Sequence, residues 1–273
     1  MRFNKSDLIY LMHHCMEYSK SSDDFIDVWY FSKILNVGDL IGPYLLEKLS
    51  GKKARKNIFG VRPHYLSVGS ILDQVTEKSN VWGSGFLKKS DELRYEPEKL
   101  SLVRGKLTKN KLPSKYNPAL GDPALALSQF YTPQISRIKK WKMGLVLHYS
   151  DEHLEPLFSQ QKEVKIIKIS QGVESFIDQI TSCEVVFSSS LHGLIVSDAY
   201  QVNNCWIKFS SCERKDDFKY HDYFSIFSDK TPDKACLIKI KKPILLSTLI
   251  PLCNTRSIEK HVHEIVNSFD LND

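Results

Sequence analysis

His192 is the side chain around which chemistry can be organised in this chain. It follows the run Glu184-Val185-Val186-Phe187-Ser188-Ser189-Ser190-Leu191 and precedes Gly193-Leu194-Ile195-Val196. A β-branched apolar run that stops at serines and resumes as a helical pattern reads as strand, polar turn and helix N-terminus. The first turn of a helix presents unpaired N–H groups and the positive end of its dipole, so an anion is the natural ligand there. Ser189, Ser190 and Gly193 would border that ligand, and an imidazole of near-neutral pKa could give and take protons beside it. Ser188 to Ser190 could equally be a helix cap with spares.

Similar punctuation recurs along the chain. Asn36-Val37-Gly38-Asp39 lies between a strand pattern and an amphipathic helix, where Gly38 would let a ligand approach the backbone and Asp39 could activate a hydroxyl; a tight turn and cap is the other reading. Gly83-Ser84-Gly85 is the minimal phosphate- or sugar-approaching loop. Arg104, beside Gly105 at a strand tip, could clamp a carboxylate or phosphate bidentately or form a surface salt bridge. His148 ends another apolar run, and Asp122 fixes a turn before Pro123.

The elements that must position these residues alternate. A helix is expected over Lys5–Ser19, then strands at Phe25–Phe31, Tyr65–Ser70, Asn80–Trp82 and Leu100–Val103, with a helix over Leu40–Leu49 closed by Gly51. Tyr131 to Lys142 is polar, basic and proline-containing, and serves as the linker. The alternation restarts with strands at Gly144–Tyr149, Val164–Ile169, Glu184–Phe187 and Cys205–Phe209. Helices intervene near His153–Phe158, over Val173–Ile180 and from His192. Asp217–Tyr223 is a charged, aromatic segment between helices or loops, and Ser257–Phe269 is an amphipathic helix. Short apolar strands alternating with helices predict parallel sheets covered on both faces. The expectation is an α/β protein of two Rossmann-like domains, 1–135 and 143–273, whose sheets face a central cleft. Ligands bind at the carboxyl ends of such strands, which is where these candidates fall.

The totals exclude several classes. The 273 residues with 42% hydrophobic content can fill a sizeable core. No stretch reaches the length of a membrane span, and the N-terminal residues lack a signal-peptide core, so a cytoplasmic protein is expected. Six dispersed cysteines have no zinc spacing and are expected to be reduced, with no metal site. A net charge of +6 implies an anionic partner. No zinc finger, RNP-like sequence or long basic-aromatic run points to nucleic acid. The basic clusters Lys52–Lys56, Lys139–Lys142 and Lys239–Lys242 read as solvated surface.

Together, Asn36-Val37-Gly38-Asp39, Val81-Trp82-Gly83-Ser84-Gly85, Val103-Arg104-Gly105-Lys106-Leu107-Thr108, Gly121-Asp122-Pro123-Ala124 and Ser188-Ser189-Ser190-Leu191-His192-Gly193-Leu194-Ile195 resemble the polysaccharide pyruvyl transferase family. The match runs in order across about residues 35 to 225. The resemblance implies a fold similar to GT-B glycosyltransferases. It also implies transfer of the pyruvyl carbons of phosphoenolpyruvate to a sugar as a ketal, on a cell-surface glycan (exopolysaccharide, capsule or lipopolysaccharide) or its lipid-linked precursor. By it, His192 is catalytic, Arg104 holds phosphoenolpyruvate and Lys219 matches a downstream lysine at shifted spacing. Many members have arginine where this chain has Ser190, and Lys208 or Arg62 are the candidate replacements. The N-terminal half would serve the acceptor and part of the donor site, and the C-terminal half phosphoenolpyruvate. No cofactor is needed, and contact with the inner face of the membrane is compatible with such an acceptor. The alternative on the same fold is a glycosyltransferase using a nucleotide sugar; an anion- or glycan-binding module without catalysis is a third reading.

Overall fold

A computed structural model describes residues 24–57, 60–134, 139–210, 216–227, 235–239 and 245–271. The helix expected over Lys5–Ser19 lies outside them. The first sheet opens with β1 (Phe25–Trp29), whose Ile26 and Val28 are buried. Helix α1 (Val37–Ser50) follows, capped by Asn36, whose side-chain oxygen accepts from the Gly38 N–H at 3.1 Å. Gly51, left-handed at φ 70°, closes it and donates to Glu47 O. Then come β2 (Lys53–Lys56), β3 (His64–Leu66), β4 (Ser79–Trp82), β5 (Lys99–Val103), the short helix α2 (Lys106–Lys109) and β6 (Ala119–Leu120). All pair in parallel, in the order β2-β1-β3-β4-β5-β6.

Strand β2 departs from the expectation of a solvated basic cluster. Arg55 is buried there, and its Nε and Nη2 each donate to the Asp27 carboxylate at 2.8 Å. A partner 28 positions away on β1 neutralises the charge that made the segment look like surface, and a buried guanidinium needs such a bidentate partner.

The second sheet contains β7 (Trp141–Val146), β8 (Val164–Ile167), β9 (Cys183–Ser188), β10 (Asn203–Phe209) and β11 (Cys236–Ile238), in the parallel order β11-β10-β9-β7-β8. Helix α3 (Val173–Thr181) leads into β9, α4 (Leu191–Ala199) into β10, and α5 (Phe218–Phe224) follows β10. Strand β7 starts earlier than expected, because Trp141 pairs with Cys183 and draws the end of the linker into the sheet. The helix expected near His153 is a 3₁₀ segment, Tyr149–Leu157, interrupted by Pro156. Asp217–Tyr223 mostly falls in α5, because its aromatic residues have a buried face to cover: Tyr220 stacks on Trp206 at 4.5 Å and 8°.

Apolar packing is continuous between the halves. One cluster of buried side chains joins Ile41 and Leu45 of α1, the 3₁₀ segment Pro123–Gln129, Phe176 of α3 and Leu194 of α4. The Val37 N–H also donates to Ile169 O at 2.8 Å. The two halves therefore share one apolar core beside the strand ends that face each other. Helix α6 (Glu259–Asn267), though C-terminal, packs on the first sheet's side against β6 and Pro123–Gln129. There the indole N–H of Trp82 donates to Ser268 Oγ at 3.1 Å and the Tyr65 hydroxyl to Asp270 O at 2.7 Å. Ile265 is fully buried against the Cβ-less Gly121. Ile265→Ala should destabilise the protein by about 2–5 kcal/mol, read as a lower denaturant midpoint at unchanged slope.

Candidate active site

Both sheets reverse direction in their interior. In the first, the chain runs outward from β1 to β2 on one side and from β3 on the other; in the second, β8 lies on one side of β7 and β9 on the other. Such switch points leave a crevice at the carboxyl ends of the strands. A cavity of about 250 Å³ lies where the two sets of ends meet. After β1 come Asn36 and Asp39, after β3 Ser70, after β7 His148, after β9 Ser190 and His192, and from α5 Lys219. Phe31, Ile34, Leu87 and Tyr149, all at least partly exposed, add apolar surface to the same cavity.

Of the residues expected from sequence, Asn36, Asp39, His148, Ser190, His192 and Lys219 are thus brought together. Ser70 and Tyr149 were not anticipated, and neither carries a local signal that could have marked it. Ser190 occupies the cap position of α4 but makes no side-chain cap bond. His148 Nδ1 bonds with Ser150 Oγ at 2.9 Å, which fixes its ring.

Two groups titrate far from their ordinary values. Burial pushes the Asp39 carboxyl up to about 7, against the opposing pull of Lys219 and Lys56. Burial also pushes His192 down to about 3, helped by the positive fields of Lys219 and Arg104. The near-neutral imidazole expected from sequence is instead firmly neutral, and its buried Nε2 has no hydrogen-bond partner among the described residues. Lys56, whose Nζ donates to Ser32 Oγ, is itself lowered by burial and raised by Asp39. A carboxyl poised near neutrality beside an unprotonated imidazole is the usual pattern of an acid–base site.

The glycines and Arg104 act differently from the expectation. A Cβ on Gly38 would lie 2.0 Å from His192 Nδ1, and one on Gly85 would lie 2.5 Å from the Arg104 guanidinium carbon. These glycines make room for the protein's own side chains rather than for a ligand. Gly83 similarly faces Pro123, and Gly193 faces Ser188 Oγ. Arg104 is fully buried: Nε donates to Asp222 Oδ2 at 3.0 Å, Nη1 to Ser70 Oγ at 2.6 Å and Nη2 to Phe86 O at 2.6 Å. It is not on the cavity wall and reaches the cavity through Ser70. Ser84 donates to Ser67 O at 2.7 Å, and Ser189 Oγ accepts from the His148 N–H at 3.0 Å, so both buried hydroxyls hold backbone. Lys208 is paired with Asp217 at 2.6 Å, and neither it nor Arg62 lines the cavity; Lys219 is the cationic side chain that does.

The family model of polysaccharide pyruvyl transferase matches residues 36–211. The chain belongs to the polysaccharide pyruvyl transferase family. An uncharacterized protein of Acanthamoeba polyphaga mimivirus is 28% identical over 214 residues, 74% of each chain. A solved structure of a functionally uncharacterized Klebsiella pneumoniae protein aligns with a TM-score of 0.44 at 13% identity, covering 86% of this chain and 97% of that one. Family membership makes the chain a transferase of the pyruvyl-to-polysaccharide kind. Among the described residues, no three His, Cys, Asp or Glu side chains converge as metal ligands, and no helix is long and apolar enough to cross a membrane.

Two outcomes follow for this pyruvyl transferase site. Gly38→Ala should retain the fold, at a cost of about 1–3 kcal/mol for the added methyl, yet displace the imidazole and suppress turnover; circular dichroism and activity separate the two effects. His192 binds a proton below its unfolded value of 6.5 only in the unfolded chain until pH nears 3, so it subtracts stability as pH falls through that window. His192→Gln should therefore shift the acid-unfolding midpoint to lower pH.

Proposed function

We propose that this protein transfers the pyruvyl group of phosphoenolpyruvate to two hydroxyls of one sugar, forming a ketal and releasing phosphate. The acceptor is a sugar of a cell-surface polysaccharide or its lipid-linked precursor, reached from the cytoplasmic side. The observation that carries this reading is the cavity in which Asp39, His192 and Lys219 converge within a chain of the pyruvyl transferase family.

The chemistry divides among these residues. A proton added to the methylene carbon of the enol phosphate makes the adjacent carbon oxocarbenium-like. A sugar hydroxyl forms the first C–O bond and loses its proton. The C–O bond to phosphate then breaks, and the second hydroxyl closes the ring and loses its own proton. The methyl group retains the one proton added, and phosphate or solvent takes up the other. Asp39, ionised in roughly half the molecules near pH 7, accepts a hydroxyl proton. His192 is neutral until a dianionic phosphate lies beside it. That neighbour favours the imidazolium, which can then protonate the methylene carbon. Lys219 and the N-terminus of α4 hold the negative charge, in place of the arginine that Ser190 lacks. The scheme balances without a metal or redox cofactor.

The decisive experiment is phosphate release from phosphoenolpyruvate across a panel of sugar acceptors, with nucleotide sugars as the opposing arm. Acceptor-dependent release that His192→Ala abolishes is the expected result; binding and turnover of a nucleotide sugar would overturn the proposal. Activity should rise with pH through about 7 as Asp39 ionises, and Asp39→Asn should lose about 10²–10⁴ in rate. An acid limb that persists unchanged in Asp39→Asn would remove Asp39 from the role of base.

A further inference from the structure

Asn204 of β10 and Asn254, just past the 3₁₀ segment Leu246–Leu252, form an antiparallel bridge outside the parallel sheet. Their backbone bonds are reciprocal: the Asn204 N–H donates to Asn254 O at 2.8 Å, and the Asn254 N–H to Asn204 O at 3.1 Å. Antiparallel ladders alternate such pairs with non-hydrogen-bonded ones, in which facing Cα atoms lie about 4.5 Å apart and side chains share one face. The next facing pair is Cys205 and Cys253. Cys253 keeps extended backbone, φ −78° and ψ 134°, so the pairing geometry continues to it. The two side chains pack in one apolar cluster, and the Cys205 thiol acts directly on the titration of Cys253. A disulfide needs a Cα separation of about 4.4–6.8 Å, and the roughly 4.5 Å typical of a non-hydrogen-bonded antiparallel pair falls within it.

We propose that Cys205 and Cys253 are a redox pair that peroxide closes into a disulfide. Cys253 is only partly buried, whereas Cys205 is 8% exposed, so Cys253 meets the oxidant first. Its sulfur forms a bond to a peroxide oxygen as the O–O bond breaks, giving a sulfenic acid and one water. The Cys205 sulfur then bonds to the Cys253 sulfur, the S–O bond breaks and a second water leaves. Two thiols are oxidised and one peroxide is reduced to two waters. The neighbouring Cys205 thiol and burial raise the Cys253 thiol above its ordinary value, so thiolate is scarce near neutrality and closure becomes fast only at alkaline pH. A third thiol, Cys236 of β11, lies opposite Ile207 and within the field of both Cys205 and Cys253, but the pairing register puts Cys205, not Cys236, opposite Cys253.

The link would fasten a strap that already bridges the halves. Arg256, two residues beyond Asn254, pairs with Asp198 of α4 at 3.0 Å, and the chain then enters α6 on the first sheet's side. Closing the loop from Cys205 to Cys253 restricts the unfolded chain, so the oxidised protein should melt at higher temperature than the reduced one.

The test is treatment of the reduced full-length protein with hydrogen peroxide at rising pH, followed by alkylation and non-reducing peptide mapping. The expected result is a single linked peptide pair containing Cys205 and Cys253, a mass lowered by two hydrogens, and a reductant-reversible upward shift in Tm. Cys253→Ser should abolish the link, while Cys236→Ser should leave it in place. Linkage of Cys205 to Cys236 or Cys212, or recovery of both Cys205 and Cys253 as alkylated thiols after peroxide, would overturn the proposal.

Discussion

The buried ion pair between Arg104 and Asp222 is the constraint on which the rest of the site depends. Both side chains are fully removed from water, and their ends lie 118 positions apart in sequence. Such a pair is tolerable only when every lone pair and proton is matched, because desolvating two charges costs more than their attraction returns. Here the matching is close to complete. Asp222 also accepts from the Thr108 N–H at 2.7 Å and the Thr108 hydroxyl at 2.6 Å, while Arg104 donates to Ser70 and Phe86 as well. Gly85 and Gly105 have no Cβ to hinder the approach; on Gly105 it would fall 1.8 Å from the Asp222 carbonyl oxygen. The pair locks α5 of the second half onto β5 and α2 of the first. Lys219 sits one helical turn before Asp222, so the same lock sets the cation at the cavity.

Several consequences for the cavity follow from that lock. Burial discourages a proton on the His192 ring most, and the positive charges of Lys219 and Arg104 discourage it further. The same burial keeps Asp39 protonated to a pH that an exposed carboxyl would never reach. Two groups with ordinary values of 6.5 and 3.8 have exchanged order. The arrangement is strained in charge rather than in backbone, which is the feature the proposed transfer would use. The site is built of modest side chains on the carboxyl ends of strands, with Lys219 at the cavity and Arg104 tied to Asp222 behind it.

Much of the architecture was legible in the sequence. Apolar runs such as Glu184–Phe187 and Val164–Ile169 announced buried parallel strands because both their faces are covered. Asn36 and Gly51 marked the ends of α1 by backbone chemistry that depends only on neighbours. The cavity residues Asn36, Asp39, His148, Ser190 and His192 could be nominated because each follows a strand, and parallel α/β sheets present that end to ligands. What failed were inferences about solvation. The Lys52–Lys56 run looked like surface, yet Arg55 is buried against Asp27; the glycine loops looked like ligand cradles, yet they receive His192, Arg104 and Pro123.

The sequence by itself determined the parallel α/β class, the helix caps and the polar strand ends, because these rest on period, φ preference and hydrogen bonds within a few residues. Only the tertiary structure decided the strand order, and with it the position of both switch points. It alone determined that Arg104 is satisfied by Asp222, that α6 returns to the first sheet, and that Cys205 meets Cys253. Each of these depends on partners dozens of positions away. Burial by those partners, rather than residue type, sets whether a charge is a ligand clamp or a structural tie, and whether a histidine carries its proton.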